Sequence, residues 1–446
     1  MIYLIGEGEL FKEATSGLFK YSSVEECLSY FSNKESIQVD TETKGKDCHS
    51  KPILSLQLGD SNNQWVIDIR TTNILQFKNL LESKEVIIHN SKFDYKFLKH
   101  AGINLNKIYD TMLAECIIYC GYEKWGYGLA ALTKRYLNIE LDKTTRAEFF
   151  KIDQGKPFTD KQIQYAALDV TYLHKIKEFQ MAKIKEYNLE YCLNLECGVI
   201  KALADIEYNG MFLNSEKWIE NSESYNVNVK ELEIKMDEVL LKEEVIRKNL
   251  SLNRQTSLFG EKERELMVNY ASPLQIKFIC ELLGHKVDTT NDRELEKLIN
   301  EHLFFKYLQE YRKANKIVTT YGKSFLENIN KTTGKIHTSF WQILNTGRVS
   351  SGNKEDNAPN LQNIPALNTF RNCFEAREGF LWVSSDYSGQ ELAIMAEGSQ
   401  EPGFIDVLNK GEDLHCYAGS LMFKRTITKA DKELRTKAKT INFGKP

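Results

Sequence analysis

Nothing in the chain suggests a disulfide framework or a zinc knuckle, because its nine cysteines include no Cys-x-x-Cys pair. Proline is scarce, at seven residues, and the 25 glycines are scattered. There is therefore no low-complexity linker, and domain joints must be short. No repeat recurs at a solenoid period. No apolar run approaches membrane-spanning length, and the opening MIYLIGEGELF meets an acid too early for a secretory signal. The expectation is a soluble protein of the cytoplasm with no membrane partner. Bulk positive charge is missing too: the formal net charge of −3 argues against coating nucleic acid by overall attraction, and leaves a local groove open.

What is present is ordinary globular composition, 42% hydrophobic and 27% charged, over 446 residues, enough for about three domains. Cations gather in YRKANKIVTTYGK (Tyr311 to Lys323) and KRTITKADKELRTKAK (Lys424 to Lys439). Up to about residue 190, short apolar runs alternate with helical ones. SIQVDTE, ILSLQLGD, QWVIDI and EVIIHN read as strands, and YDTMLAECIIYC reads as a helix. This predicts an α/β domain. From Ile163 to about Asn330 the pattern is almost wholly helical, through KELEIKMDEVLLKEEVIRK and SPLQIKFICELLG. Strand character returns at KIHTSFWQI; GFLWVSSDYS reads as a buried strand and GQELAIMAEGS as the helix after it. The expected division is 1–190, 191–335 and 336–446.

In VDTET, Asp40 and Glu42 stand two apart on a predicted strand, so both side chains leave one face. The same domain carries Asn90 and Asp94 in HNSKFDYKFL, and Tyr165 and Asp169, neighbours at i and i+4 of a helix, in YAALDV. Four carboxylates able to converge can hold two divalent cations about 4 Å apart, flanking a phosphorus. Hard oxygen ligands favour Mg²⁺ or Mn²⁺.

This set, in this order, resembles the DnaQ-like 3′-5′ exonucleases of the subclass with tyrosine before the last aspartate, with YDTMLAECII, including Asp110, matching an intervening segment. The resemblance implies that Asp40, Glu42 and Asp169 hold a first metal and Asp94 helps hold a second. Tyr165 and Glu42 would then orient the attacking water. Further stretches resemble the family A DNA polymerases, bacterial polymerase I and phage relatives: DIEYNGMFLN, NYASPLQIKFICELLG, KIHTSFWQILNTGRVSS, APNLQNIP, FRNCF, SSDYSGQELAIMAEGS (motif A) and RTKAKTINFG (part of motif B). The fold it implies is a ribonuclease H-like exonuclease domain, a helical thumb and an incomplete α+β palm and fingers.

For the polymerase site the resemblance implies that Asp386, ending a buried strand, bridges two Mg²⁺ ions with help from the Tyr387 carbonyl. Gln390 and Glu391 would open the next helix beside the nucleotide, with Glu391 crowding the ribose 2′ position. Arg435, Lys439 and His415 would grip the triphosphate, with Phe443 lining the nucleotide pocket, and Arg348, Gln362 and Asn363 would touch the minor-groove side of the primer-template. Expected partners are primer-template DNA, single-stranded 3′ ends and deoxynucleoside triphosphates, without a thioredoxin-type clamp. The expected role is replication with proofreading, of phage type, in host cytoplasm. GNKEDNA and the stretch around KNLSLNRQTSLFGEKER look longer than the family pattern. No His-Asp-Glu of motif C occurs in the chain. It is therefore expected to retain exonuclease activity and DNA binding without extending a primer. Two alternatives stand beside this: a DNA-binding subunit completed by a C-terminal polymerase chain, and a stand-alone 3′-5′ exonuclease.

Overall fold

The structure, a computed structural model, describes residues 1–6, 19–122, 126–141, 146–152, 155–251, 264–353 and 357–444. The stretches expected to be longer than the family pattern fall in part, at 252–263 and 354–356, outside the described residues. Two compact units form, Met1–Arg377 and Glu378–Pro446.

The first unit is built on a seven-stranded sheet of order β2-β1-β5-β4-β3-β6-β7. Its strands are β1 (Ile2–Ile5), β2 (Phe19–Tyr21), β3 (Ser36–Thr43), β4 (Ile53–Gly59), β5 (Gln64–Asp68), β6 (Glu85–Ile88) and β7 (Lys107–Asp110). β4 runs antiparallel to β3 and β5, and the other pairings are parallel. Every residue of β4 and β5 is buried, as the continuous runs ILSLQLG and QWVID require of strands covered on both faces. One face packs Ile37, Val39, Leu56 and Leu58 against α1 (Val24–Ser32) and α2 (Ser91–His100), through Cys27, Phe31, Phe97 and Leu98. After β7 the chain continues into α3 (Thr111–Ile118). The other face packs Leu4, Leu54 and Val66 against Ile163, Ala166 and Ala167 of α4 (Asp160–Thr171), whose start is fixed by a capping box between Thr159 and Gln162. β3 is thus held between two helical layers, and its last residues, Thr41 to Thr43, are buried.

The helical run follows as expected, with α5 (Leu173–Glu186), α6 (Glu190–Asn209), α7 (Ser215–Leu240), α8 (Pro273–Leu282) and α9 (Leu303–Tyr321). α7 lays Leu232, Met236 and Leu240 against Phe304, Phe305 and Leu308 of α9. α6 ends at Gly210, whose φ of +58° and close approach to the Ile336 carbonyl, 2.8 Å from where a Cβ would stand, exclude a side chain. The chain then enters β8 (Met211–Phe212), paired with β9 (Lys335–Ile336), and β10 (Phe340–Trp341) pairs with β11 (Ser350–Ser351).

The second unit holds α10 (Gln390–Ser399), α11 (Pro402–Asn409) and α12 (Leu414–Phe423), which cluster Leu392, Val407 and Leu414, and α13 (Lys432–Gly444), which buries Ala438. The buried strand expected at GFLWVSSDYS does not form. Residues 380–388 lie outside strand or helix, and Leu381 and Val383 are 92% and 88% exposed. A strand exists only through a paired neighbour, and among the described residues none pairs with this segment. No described helix is long and apolar enough to cross a membrane.

Candidate active site

The alternation of β3 sends Gln38, Asp40 and Glu42 to the face covered by α4, and Ile37, Val39 and Thr41 to the face covered by α2. On β4, Gln57 stands opposite Asp40 and Ser55 opposite Glu42. The register shifts between Glu42 and Thr43, which ends the regular ladder just past the acids. Tyr165 and Asp169 come from successive turns of α4. One ligand oxygen each of Asp40, Glu42 and Asp169 fall within 4.8 Å of one another. Asp40, Glu42, Asp94, Tyr165 and Asp169 line one cleft of about 270 Å³. The donor set is purely carboxylate, which fits a hard divalent cation and not a soft one.

Asp94 reaches this cleft from the opposite helical layer. It is 3% exposed, and its Oδ1 accepts from the Thr41 N–H (3.0 Å) and the Thr41 hydroxyl (2.5 Å). It lies outside the three-carboxylate group, so the structure gathers three of the four acids at one point and places the fourth beside them. Asp110, which sequence reasoning noted only as part of a matching segment, anchors the start of α2. Its carboxylate accepts from the N–H groups of Asn90 (3.1 Å) and Ser91 (2.7 Å), the Ser91 hydroxyl (2.7 Å), and the N–H groups of Met112 (2.8 Å) and Leu113 (3.2 Å). One buried acid thereby satisfies the opening N–H groups of both α2 and α3.

The apolar wall of the cleft, Phe93, Met112, Leu129 and Phe150, was not found from sequence. The one available signal was Phe93 beside Asp94, and an aromatic next to an acid on a helix is too common to single out.

Arg348, Gln362 and Asn363 are exposed on the loops around β11. The Gln362 amide donates to the Val349 carbonyl (3.2 Å), which brings it beside Arg348. Asn360 caps the short turn there by accepting from the Gln362 and Asn363 N–H groups (3.0 and 3.2 Å). Gln362 and Asn363 thus make ordinary loop-capping contacts, and Arg348 is exposed.

In the second unit, Asp386, Gln390, Glu391 and Lys439 are exposed. Asp386 therefore does not end a buried strand, contrary to the expectation from the sequence, and its carboxylate is open to water. Arg435 donates to Asp413 through Nε (3.1 Å) and Nη2 (2.6 Å). Burial alone would raise the Asp413 carboxyl, but hydrogen bonds from Arg435 and the Cys416 N–H outweigh it and bring it down to about 2. His415 meets the Phe443 ring edge-on at 5.4 Å, and Asn442 Nδ2 lies 3.1 Å from its Nδ1. Arg435, His415 and Phe443 thus share the α12–α13 seam, where Gly419 permits a close approach: a Cβ there would stand 3.3 Å from the Ala438 Cβ.

Residues 17–184 match the family model described as 3′-5′ exonuclease, and residues 244–445 the one described as DNA polymerase family A. DNA polymerase I of Borreliella burgdorferi is 29% identical over 431 residues, covering 92% of this chain and 44% of the relative. DNA polymerase I of Aquifex aeolicus is 28% identical over 463 residues, covering 96% and 71%. The thermostable DNA polymerase I of Thermus aquaticus is 37% identical over 161 residues, covering 35% and 19%. Among solved structures, the POL domain of Pol1 from M. smegmatis in complex with DNA primer-template and dNTP superposes with a TM-score of 0.74 at 22% identity. That likeness covers 100% of this chain and 71% of the other and shows a shared fold.

Proposed function

We propose that this chain, which belongs to DNA polymerase family A and carries a 3′-5′ exonuclease domain, removes nucleotides from single-stranded 3′ ends in its first 190 or so residues and holds primer-template DNA and a deoxynucleoside triphosphate with the remainder. The helical region to about residue 335 acts as the thumb, and the following residues contribute palm and fingers. The chain spans 44% of the Borreliella relative's length, so its binding of DNA and nucleotide is proposed here and the relative's synthesis is not carried over to it. The relatives reported are bacterial, and they lend no support to a phage source.

The observation that carries the nuclease reading is the meeting of Asp40, Glu42 and Asp169 within 4.8 Å. These three would hold Mg²⁺ or Mn²⁺, with Asp94 contributing to a second ion. A bound cation would supply charge stabilisation to the phosphate under attack. The chain's own residues do the rest. The Tyr165 hydroxyl and Glu42 orient the attacking water, and Phe93, Met112 and Leu129 offer apolar surface on which a terminal base stacks. In the polymerase part, Arg348, Gln362 and Asn363 contact the minor-groove side of the duplex. Arg435, Lys439 and His415 hold the triphosphate, Phe443 lines its pocket, Gln390 and Glu391 face the sugar, and Asp386 is a metal ligand.

The test is digestion of a 5′-labelled single strand in Mg²⁺ or Mn²⁺. Asp40→Ala and Asp94→Ala should each lower the rate by several powers of ten, because such groups act as a unit. A double variant as active as the unmodified chain would overturn the assignment.

A further inference from the structure

We infer that Glu207, far from the cleft in sequence and outside the acid set, is a positioning residue for the nuclease site that acts through α2. The inference rests on the exonuclease reading above. Lys92 and Lys96 lie one turn apart on α2, and Asp94, about 200° around the helix from each, faces the other way. Asp94 is fastened to β3 through Thr41. The lysine side is fastened to Glu207 near the end of α6: Lys92 Nζ stands 2.5 Å from one carboxylate oxygen and Lys96 Nζ 2.6 Å from the other. Glu207 is 2% exposed, and the oxygen that pairs with Lys92 also accepts from the Phe340 N–H (2.7 Å). Lys92 in turn donates to the Phe340 carbonyl. The Glu207 carbonyl accepts from His337 Nδ1 (2.8 Å). Further along the same stripe, Lys99 pairs with Asp205.

One carboxylate therefore gathers the nuclease helix, the end of α6 and β10, elements separated by more than a hundred residues of sequence. A buried carboxylate with two ammonium partners and an N–H is fully engaged, and its removal leaves two cations facing each other. α2 is the helix that carries Asp94, so rotation about its axis moves that carboxylate relative to Asp40, Glu42 and Asp169. A displacement of about 1 Å in a reacting site costs about a hundredfold in rate. Glu207 thus fixes the orientation of α2 from its far side, as Asp110 fixes its start.

The experiment uses the full chain with Glu207→Gln, Glu207→Asp and Lys96→Met. Binding of Mn²⁺ to the DNA-free protein is followed by loss of the free-ion electron paramagnetic resonance signal, beside digestion of a single strand over a Mn²⁺ series and thermal unfolding. Glu207→Gln should weaken Mn²⁺ binding and raise the Mn²⁺ concentration for half-maximal digestion by about tenfold, the scale of losses from residues that orient metal ligands. Glu207→Asp, which keeps the charge, should recover part of this. Lys96→Met, which removes one of the two pairs, should give a smaller shift and serves if Glu207→Gln does not fold. A Glu207→Gln protein with a lower melting temperature and unchanged Mn²⁺ dependence would overturn the inference, leaving Glu207 a stabilising residue only. Failure of the nuclease reading looks different, since Asp40→Ala would then digest DNA as the unmodified chain does.

Discussion

Asp110 shows how much of a site can depend on an acid that touches no substrate. It is 1% exposed and accepts from four backbone N–H groups and one hydroxyl across two helix starts. Alanine there would leave several buried donors without partners, each costing about 1–3 kcal/mol. Asp110→Ala should therefore lose about 3 kcal/mol or more of unfolding free energy, read from a urea titration, and Asp110→Asn, with its single acceptor oxygen, a smaller amount. A change within about 0.5 kcal/mol, the range of ordinary surface substitutions, would refute the role. At this scale the sequence carries the candidate acids better than their supports. A strand period of two puts Asp40 and Glu42 on one face, and the resemblance to the 3′-5′ exonucleases adds Asp169 to them. The support from Asp110 depends on backbone groups about twenty residues away and leaves no periodic trace. Glu207 is hidden for the same reason, because its partners at Lys92, Lys96 and Phe340 meet it only once the chain has folded.

Among the elements, β4, β5 and β6 are legible as largely apolar runs of strand length, β3 as a short run whose side chains alternate between faces, and α4 through its helical pattern from Ile163. GFLWVSSDYS has an apolar stretch and, among the described residues, no neighbour to pair with, so composition without context misreads it. The end of α6 carries a device that no pattern announces. The carbonyls of Glu207 and Tyr208 accept from His337 Nδ1 (2.8 Å) and His49 Nε2 (3.0 Å), and the two imidazole rings lie 4.7 Å apart, with Asp47 and His100 nearby. Burial pushes both imidazoles below their ordinary value and outweighs the opposing pull of the carbonyls they bond and of Asp47; the His337 charge further lowers His49, and Lys335 and Lys96 further lower His337. The sign follows from linkage. The unfolded chain binds protons at these histidines at a higher pH than the folded one, so stability falls as pH drops through about 6.5. The melting temperature should therefore decline between pH 7 and pH 5.5. His49→Gln with His337→Asn, which keep a donor near each carbonyl and cannot ionise, should flatten that decline. An unchanged slope in the double variant would assign the pH dependence elsewhere.

The two units of the molecule are unequal in what holds them. The first buries apolar side chains on both faces of a sheet and again between α7 and α9, whereas the second clusters Leu392, Val407 and Leu414, with Phe404, Leu408 and Tyr417 partly buried around them, and buries Ala396, Ile427 and Ala438 besides. Phe380, Leu381, Trp382 and Val383 are 56%, 92%, 55% and 88% exposed and add little. A fully buried large side chain contributes about 1.5–3 kcal/mol, and ordering each residue costs about 1–2 kcal/mol, so a small core sustains only a low opening free energy. This difference was not legible in the sequence, where ordered motifs run through both units alike and mark descent, not burial. It bears on function because Arg435, His415 and Phe443 depend on the α12–α13 seam for their mutual placement. Hydrogen exchange of the full chain, followed by mass spectrometry, should show the amides of α10 to α13 exchanging about a hundredfold or more faster than those of β3, β4 and β5, as expected of the low-stability end of a fold. Addition of a primer-template and a non-hydrolysable deoxynucleotide should slow α13 selectively if Arg435 and Lys439 grip the triphosphate, since a ligand stabilises the state it binds. Slow exchange throughout α10 to α13 in the free chain would show that the second unit is held by more than its described core. Slow exchange confined to β3, β4 and β5 with no response in α13 would separate nucleotide binding from the seam.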